Sequence, residues 1–265
     1  MRWLIFAALL FSATPVVAAD RILALTPHAC EILYAIGAGK DVVGAGAFCD
    51  YPVQASRLPR VGNFDRINLE GALRLHPDVA VVMDRNVKGV EALERMGVRV
   101  VVSDPASFET MFDDILKLGL LSGHSHEAQN LVGKLRQRLE NVRAMKRSNT
   151  PVFYEIWPDP MITAGGPSFI SDLIHEAGGR NVFAGIDVEA PHVNVESVIR
   201  ARPEVVIVPI EGRNIEQRRA FWEGWLGKGK VRVVGIDPDL LHRPGPRLLD
   251  GLEMLQRALS RGGSG

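Results

Sequence analysis

Short runs of branched apolar residues alternate along this chain with longer stretches in which apolar residues recur at helical spacing. Runs of about four to eight such residues are typical of buried strands, whereas recurrence every three or four positions is typical of helices. The alternation predicts an α/β protein with parallel-type sheets covered by helices. Predicted strands include residues 21–25, 41–46, 79–83, 98–102, 151–156 and 231–236, and predicted helices include residues 88–96, 108–121, 126–145, 216–225 and 246–258.

One pattern occurs twice, because residues 69–82 read LEGALRLHPDVAVV and residues 195–208 read VESVIRARPEVVIV. Each copy has an acid at its second position, apolar residues at helical spacing, and then a proline and a branched run. An asparagine precedes each copy and is suited to cap a helix, so Glu70 and Glu196 fall in the first turn, where a carboxylate is favoured. The repeat predicts two related α/β units.

The first unit carries an insert. A second, weaker repeat relates residues 27–39 to residues 167–179. From the end of this repeat to the glutamate of the first repeat, the chain advances 31 residues in the first unit and 17 in the second. The first unit is therefore 14 residues longer at this point. Irregular inserts with aromatic residues are typical of binding surfaces, although an ordinary surface loop is equally consistent with the pattern. The insert includes Phe48, Cys49, Asp50, Tyr51, Pro52 and Phe64.

The predicted helix at residues 126–145 separates the two units. A helix of about 20 residues spans about 30 Å, the diameter of a small domain, so it could join two lobes as a rigid strut. The predicted division of the chain is a signal peptide, an N-terminal β/α lobe, a linker helix and a C-terminal β/α lobe, at residues 1–19, 20–122, 123–148 and 149–265.

Charge and the N-terminal pattern restrict the partners and the location. The chain has 31 basic and 31 acidic side chains, so no net field favours nucleic acid or an anionic membrane. Arg2, an apolar run at residues 3–11 and small residues before Asp20 predict a secretory signal peptide. The run is too short to span a bilayer, and neither cysteine sits at the cleavage site. We expect an exported, soluble protein that is neither a lipoprotein nor inserted in the membrane.

Cys30 and Cys49 are the two cysteines of the chain. An even number of cysteines in an exported protein, with a predicted helix and strand between them, favours a disulfide. Such a bridge would contribute about 3 kcal/mol to stability by closing a short loop. Two buried thiols are the alternative.

Signals of catalysis or of metal binding are weak. The GAGKD segment at residues 37–41 has the spacing of neither phosphate-binding glycine motif, and no GxSxG motif occurs. His124 and His126 alone are too few ligands for a metal site. A secreted hydrolase is a remote alternative, because no nucleophile or base geometry is encoded around Asp237, Asp239 and His242. We therefore expect no catalytic residues, no metal and no cofactor.

Aromatic and polar residues at predicted strand ends are the remaining candidates for a functional site. Ligands of parallel sheets collect at the carboxyl ends of the strands, so these residues suggest a cleft for an organic ligand. Trp157 could equally be a core residue that packs the lobes together. The candidates are Tyr51, Phe64, Met83, Trp157 and residues 237–243.

Several motifs resemble those of the periplasmic substrate-binding proteins of ABC importers that have a rigid helical linker, and most closely their cobalamin-binding group. The resemblance covers nearly all of the chain after the signal peptide. It rests on the repeat at residues 195–208 and on four further motifs, which are CDYP at residues 49–52, VGNFDRINLE at 61–70, AGGRNVFAG at 177–185 and HRPGPRLLDG at 242–251.

The resemblance implies two β/α lobes joined by the linker helix, with a ligand cleft between them and no catalysis. It implies a monomer that captures cobalamin or a related corrinoid in the periplasm. The ligand would pass to an ABC permease dimer at the inner membrane. A siderophore or haem carrier on the same scaffold is the alternative.

The resemblance also implies particular site residues. Asp239 and Arg243 fall on polar contacts of the cobalamin binders, and Glu70 and Glu196 correspond to glutamates that meet permease arginines. Aromatic residues of that group are replaced here by Met83, Ile156 and Ala190, which is consistent with a changed corrinoid preference or with a different ligand. The complete set of expected ligand-binding residues is Tyr51, Asn63, Phe64, Met83, Trp157, Asp239 and Arg243.

Overall fold

The structure is a computed structural model that describes residues 18–145, 147–210 and 214–260. Nearly all of the predicted signal peptide, residues 1–17, lies outside the described residues. The described chain forms two sheets of mostly parallel strands with helices packed around them. The predicted α/β fold class with two β/α lobes is confirmed.

The first lobe contains five parallel strands in the order β3-β2-β1-β4-β5. Strand order reverses on either side of β1, and such a switch point opens a crevice at the carboxyl end of the sheet. The strands are β1 (Ile22–Ala24), β2 (Val42–Gly46), β3 (Arg60–Gly62), β4 (Val79–Val82) and β5 (Arg99–Val102), and the helices are α1 (Pro27–Ala35), α2 (Leu69–Leu73), α3 (Val90–Arg95) and α4 (Phe108–Leu121).

The second lobe has a sheet in the order β10-β9-β6-β7, with β8 also paired to β6. Only β7 among these described strands runs antiparallel to its neighbour. The strands are β6 (Thr150–Pro158), β7 (Met161–Thr163), β8 (Gly179–Asn181), β9 (Val205–Pro209) and β10 (Arg232–Ile236), and the helices are α6 (Phe169–Glu176), α7 (Val195–Ala201), α8 (Ile215–Leu226) and α9 (Leu248–Ser260).

A long helix, α5 (Ser125–Arg143), connects the two sheets. One hydrophobic cluster is continuous from the first lobe through this helix into the second, and it includes Ile32, Phe112, Leu135, Leu173 and Leu252. The buried residues of α5 recur every three or four positions, at 128, 132, 135, 139 and 142, which is the spacing of one helix face. Because α5 shares its core with both lobes, it is a packed strut rather than a free linker.

The repeated helices begin as predicted. The side-chain oxygen of Asn68 accepts a hydrogen bond from the backbone N–H of Gly71 at 3.1 Å, and that of Asn194 accepts from Ser197 at 2.9 Å. Both caps satisfy N–H groups that a helix start otherwise leaves unpaired.

The same helices end before the prolines that follow them, Pro77 and Pro203. Each copy places a left-handed residue immediately before its proline, His76 with φ 44° and Arg202 with φ 49°. The residue before a proline is hindered from right-handed helical geometry. The proline therefore ends each helix through its predecessor.

Three strands of three residues each, β3, β7 and β8, were absent from the sequence-based prediction. Runs this short have almost no periodicity, and β8 contains glycine, arginine and asparagine. Their pairing depends on neighbouring strands that are already in place, which local propensity does not report.

A buried carboxylate holds the second lobe together. Glu155 on β6 accepts hydrogen bonds from Nε and Nη2 of Arg218 at 2.9 and 2.5 Å, and from the indole Nε1 of Trp222 at 2.6 Å. Glu155 has no exposed surface, whereas Arg218 keeps 17% of its side-chain exposure. The arrangement ties α8 to the centre of the sheet.

The predicted disulfide is not present in this structure, since Cys30 and Cys49 are both free and buried. The two thiols contact each other, and this contact together with burial raises the pKa of Cys30. The Cys49 thiol also donates to the carbonyl oxygens of Ala24 at 3.2 Å and Thr26 at 3.4 Å. The contact with Cys30 lowers the pKa of Cys49, and this structure contains the two buried thiols that the sequence left open as the alternative.

Both thiols should therefore resist alkylation by iodoacetamide in folded protein and react in urea without added reductant. Burial excludes the reagent, and a raised pKa removes the reactive thiolate of Cys30. Mass spectrometry counts the alkyl groups under each condition. Label at neither cysteine in urea, with label at both after reduction, would show a bridge and contradict this prediction.

Candidate functional site

The loops after the parallel strands of both lobes meet at a cleft, which encloses a cavity of about 480 Å³. His28 and Met83 line the cavity from the first lobe, and Ile156, Ala190 and His242 line it from the second. Ligands of parallel sheets bind at this edge because loops from successive strands converge there. The cleft is the candidate functional site.

Two aromatic rings of the insert form a stacked pair at the same edge of the first lobe. The ring centroids of Phe48 and Phe64 are 4.8 Å apart, with an angle of 11° between the planes. Both rings remain nearly half exposed, at 49% and 43%. Phe64 and Met83 also line a common crevice. The pair presents a flat apolar surface suited to contact with a planar ligand.

Phe48 was missed as a site residue by sequence reasoning. Its only signal is its position, two residues after β2 ends, within an insert that carries several aromatic residues. The predicted Asn63 has a more local task, since its side-chain oxygen accepts from the backbone N–H groups of Asp65 and Arg66 at 3.0 and 2.9 Å. Those bonds shape the turn that carries Phe64.

Trp157 is exposed, and its indole Nε1 donates to the carbonyl oxygen of Asp159 at 2.9 Å. The cavity is lined instead by Ile156, the preceding residue of β6. Trp157 is therefore not the core residue that sequence left open as an alternative. Its ring lies outside the cavity wall.

Arg243 joins the two lobes at the side of the cleft. Its guanidinium donates to both carboxylate oxygens of Asp50, at 2.5 and 3.2 Å, and pairs with Asp239 of its own lobe at 2.7 Å. The hydrogen bond from Arg243 holds the pKa of Asp50 below its usual range, whereas burial raises the pKa of Asp239. The two expected polar ligand contacts, Asp239 and Arg243, are thus already paired with each other, and Arg243 is also paired across the lobes with Asp50.

A second ion pair between the lobes lies beside the first. Arg247 donates to both oxygens of buried Glu31 at 2.9 and 2.6 Å, and its guanidinium lies 3.8 Å from the centre of the Tyr51 ring. Tyr51 lines a separate cavity of about 550 Å³ with Glu31, Tyr34 and Arg247. This cavity is lined by α1, the insert, and Pro246 and Arg247 of the second lobe, rather than by strand ends. We regard the cleft as the ligand site, and Tyr51 lies apart from it.

His28 is a second cleft residue that sequence reasoning missed. It lies in the first turn of α1 and is buried. Its Nε2 lies 3.0 Å from the carbonyl oxygen of Ser103 and 2.9 Å from the Ser103 hydroxyl, which in turn contacts Asp114. Burial lowers the pKa of His28. A histidine after proline at a helix start resembles any polar residue there, so no local pattern identifies this network.

Glu70 and Glu196 are exposed in the first turns of α2 and α7. Glu70 pairs with Arg74 one helical turn later at 2.5 Å. Arg200 occupies the matching position of the second copy, where it donates to the Ser197 hydroxyl at 3.3 Å. The cavity walls include neither glutamate.

Within residues 18–145, 147–210 and 214–260, no group of three or more His, Cys, Asp or Glu side chains is arranged to hold a metal ion. His124, a potential metal ligand by sequence, has Nδ1 at 2.8 Å from the backbone carbonyl of Ser122. None of the described helices is both long and apolar enough to cross a membrane.

One known family and several relatives match most of the chain. The periplasmic binding protein family matches residues 22–221. The chain is 31% identical over 258 residues to the vitamin B12-binding protein of Photorhabdus laumondii subsp. laumondii, covering 96% of this chain and 93% of that protein. It is 32% identical over 268 residues to the vitamin B12-binding protein of Vibrio vulnificus, covering 96% of each.

Solved structures show the same likeness. The crystal structure of the periplasmic vitamin B12 binding protein BtuF of Vibrio cholerae matches with a TM-score of 0.79 at 31% identity, over 92% of this chain and 97% of that one. The periplasmic heme-binding protein BhuT, solved with two hemes, matches with a TM-score of 0.81 at 24% identity, over 92% and 99%. The second likeness establishes the fold alone.

Proposed function

The chain belongs to the periplasmic binding protein family, and from this premise we propose that it captures cobalamin or a related corrinoid and delivers it to an ABC importer of the inner membrane. The proposal is carried by the identity of about one third to vitamin B12-binding proteins over nearly the whole chain. Haem or siderophore capture in the same cleft is the second candidate, favoured by the shared fold of the heme-binding relative.

The remaining parts of the proposal follow from the same role. Residues 1–19 direct export, and the mature protein works in the periplasm as a monomer without catalysis. Glu70 and Glu196, one on each lobe, dock the permease dimer. The residues proposed to meet the ligand are Phe48, Asn63, Phe64, Met83, Asp239 and Arg243, with Tyr51 and Trp157 at the margins.

The chemistry of the cleft suits a corrinoid, which is a large ring with amide arms. The stacked Phe48 and Phe64 rings offer apolar area to the ring, and Met83 and Ile156 add apolar wall on both sides. Arg243 is bound to Asp50 and Asp239, so a ligand amide must take the place of one carboxylate to contact it. The amide oxygen would then accept from Arg243, and the amide N–H would donate to the displaced carboxylate, so that this carboxylate keeps a hydrogen-bond partner.

Titration of purified mature protein with cyanocobalamin, haem and ferric siderophores tests the proposal. We expect corrinoid binding at micromolar concentration or tighter, because binding that is useful for uptake must hold ligand at low concentration. Quenching of tryptophan fluorescence and calorimetry both report it. Binding of haem or a siderophore without any corrinoid binding would replace the first candidate with the second.

Phe64→Ala and Phe48→Ala should each weaken corrinoid binding about tenfold, which corresponds to about 1.4 kcal/mol. Each substitution removes one ring of the stacked pair and its apolar contact area. Trp225→Ala is the control, since Trp225 is an exposed aromatic residue of α8 that lines neither the cleft nor the crevice shared by Phe64 and Met83. Equal affinity in all three variants would exclude the stacked pair from the site.

A further inference from the structure

His28 occupies the switch point of the first sheet. It follows β1, where strand order reverses, and its side chain lines the cleft while only 1% of its surface is exposed. Its Nδ1 is the one buried side-chain nitrogen or oxygen, among those of the described residues, that has no hydrogen-bond partner. Buried polar atoms without partners are rare in native proteins, and one in a ligand cleft points to a group that arrives with the ligand.

The neighbours of His28 determine which ring nitrogen carries the proton. Asp114 is acceptor-only when ionised, so the Ser103 hydroxyl donates to it and keeps its lone pairs for His28. The Ser103 carbonyl oxygen can only accept. Both contacts require Nε2 to carry a proton and to donate it, and the Thr26 hydroxyl, 3.3 Å from Nε2, is a third neighbour of this nitrogen. In the neutral ring Nδ1 is then an acceptor with a free lone pair.

The ring is also held in its neutral form. Burial lowers the pKa of His28, and this effect exceeds the opposing influence of Asp114 and Asp104. A neutral acceptor complements a donor such as the N–H of an amide. It does not complement a carboxylate, which offers only acceptors at neutral pH.

We propose that Nδ1 of His28 accepts a hydrogen bond from an amide arm of the bound ligand and thereby selects amide-bearing corrinoids over macrocycles that carry carboxylates. This inference rests on the proposed corrinoid function and names the residue that separates it from haem capture. A carboxylate in the same position would leave two acceptors facing each other, with neither satisfied.

Access to His28 depends on the second lobe. Gly245 lies beside it, since a Cβ at position 245 would be at an ordinary contact distance of 3.7 Å from both Cα and Cβ of His28. Pro244 lines the same cavity. A ligand amide that reaches Nδ1 must therefore approach beside this segment of the second lobe.

The test compares cyanocobalamin with the monocarboxylic acids made by hydrolysing one of its propionamide arms. Wild-type protein should bind at least one of these acids about tenfold more weakly than the parent amide. His28→Gln is the informative variant, because the glutamine amide can still donate to Ser103 while offering no acceptor at the Nδ1 position. In this variant we expect the ratio of the affinity for cyanocobalamin to the affinity for that acid to fall from about ten to about one.

The control is His126→Gln, which changes an exposed histidine at the start of α5 and should keep the tenfold preference. An unchanged preference in His28→Gln, with corrinoid binding intact, overturns this inference and leaves the proposed function standing. No binding of cyanocobalamin by the wild type overturns both. If His28→Gln does not fold, the affinities of the wild-type protein still test the inference. Equal affinity for cyanocobalamin and for every monocarboxylic acid would exclude a contact in which a ligand amide donates to Nδ1.

Discussion

Glu155→Ala is expected to lower the free energy of unfolding by about 3 kcal/mol, several times the loss expected for an exposed ion pair. Glu155 is fully buried and accepts hydrogen bonds from Arg218 and Trp222. Its removal leaves a largely buried guanidinium without a counter-charge and an indole N–H without an acceptor. The expected loss lies at the low end of the range for broken buried pairs, because Arg218 keeps some contact with solvent.

Urea unfolding followed by circular dichroism measures the change. Glu216→Ala is the matched control, since it removes an acid from an ion pair with Arg219 on the same helix, α8, whose partners are both exposed. That control should cost less than about 1 kcal/mol. Similar losses in the two variants would mean that the Glu155 cluster contributes no more than a surface pair.

The double variant Glu70→Ala with Glu196→Ala is expected to abolish ligand uptake while leaving corrinoid affinity in solution unchanged. The two residues begin repeated helices, one in each lobe, and both are exposed. A permease dimer offers two equivalent surfaces, and arginine is the residue best suited to bind a carboxylate with two hydrogen bonds. Loss of both carboxylates removes both points of attachment at once.

The pairing of Glu70 with Arg74 is compatible with the proposed docking. Both side chains are about three-quarters exposed, at 76% and 75%, and an exposed pair of this kind is worth little in water. A permease arginine can therefore displace Arg74 at small cost.

A closely matched control is the double variant Glu91→Ala with Glu216→Ala. These acids also lie in first helical turns, one in each lobe, and each pairs with an arginine of its own helix. Uptake into membrane vesicles containing the permease should be normal in this control. Normal uptake by a folded Glu70/Glu196 double variant would contradict docking and leave two acids that stabilise helix starts by about 0.3–1 kcal/mol each.

The fold class could be read from the sequence because its signals are local and repeated. Branched runs and helical spacings predicted most strands and helices to within a few residues, and α4 has its predicted bounds. The repeat also predicted both asparagine caps, since capping involves only residues three positions apart. The three-residue strands β3, β7 and β8 could not be predicted from such local signals, because their formation depends on partner strands distant in sequence.

Sequence alone determined that this is an α/β protein of two related lobes, with capped helices that present an acid in each lobe. Tertiary structure determined which side chains lie at the cleft. Phe48 rather than Tyr51 stacks on Phe64, and Arg247 covers Tyr51 beside a different cavity. Tertiary packing also left Cys30 and Cys49 as thiols and brought Ser103 to His28, 75 residues away in sequence. Such contacts depend on the direction of side chains from separate elements, and no periodicity along one element encodes that direction.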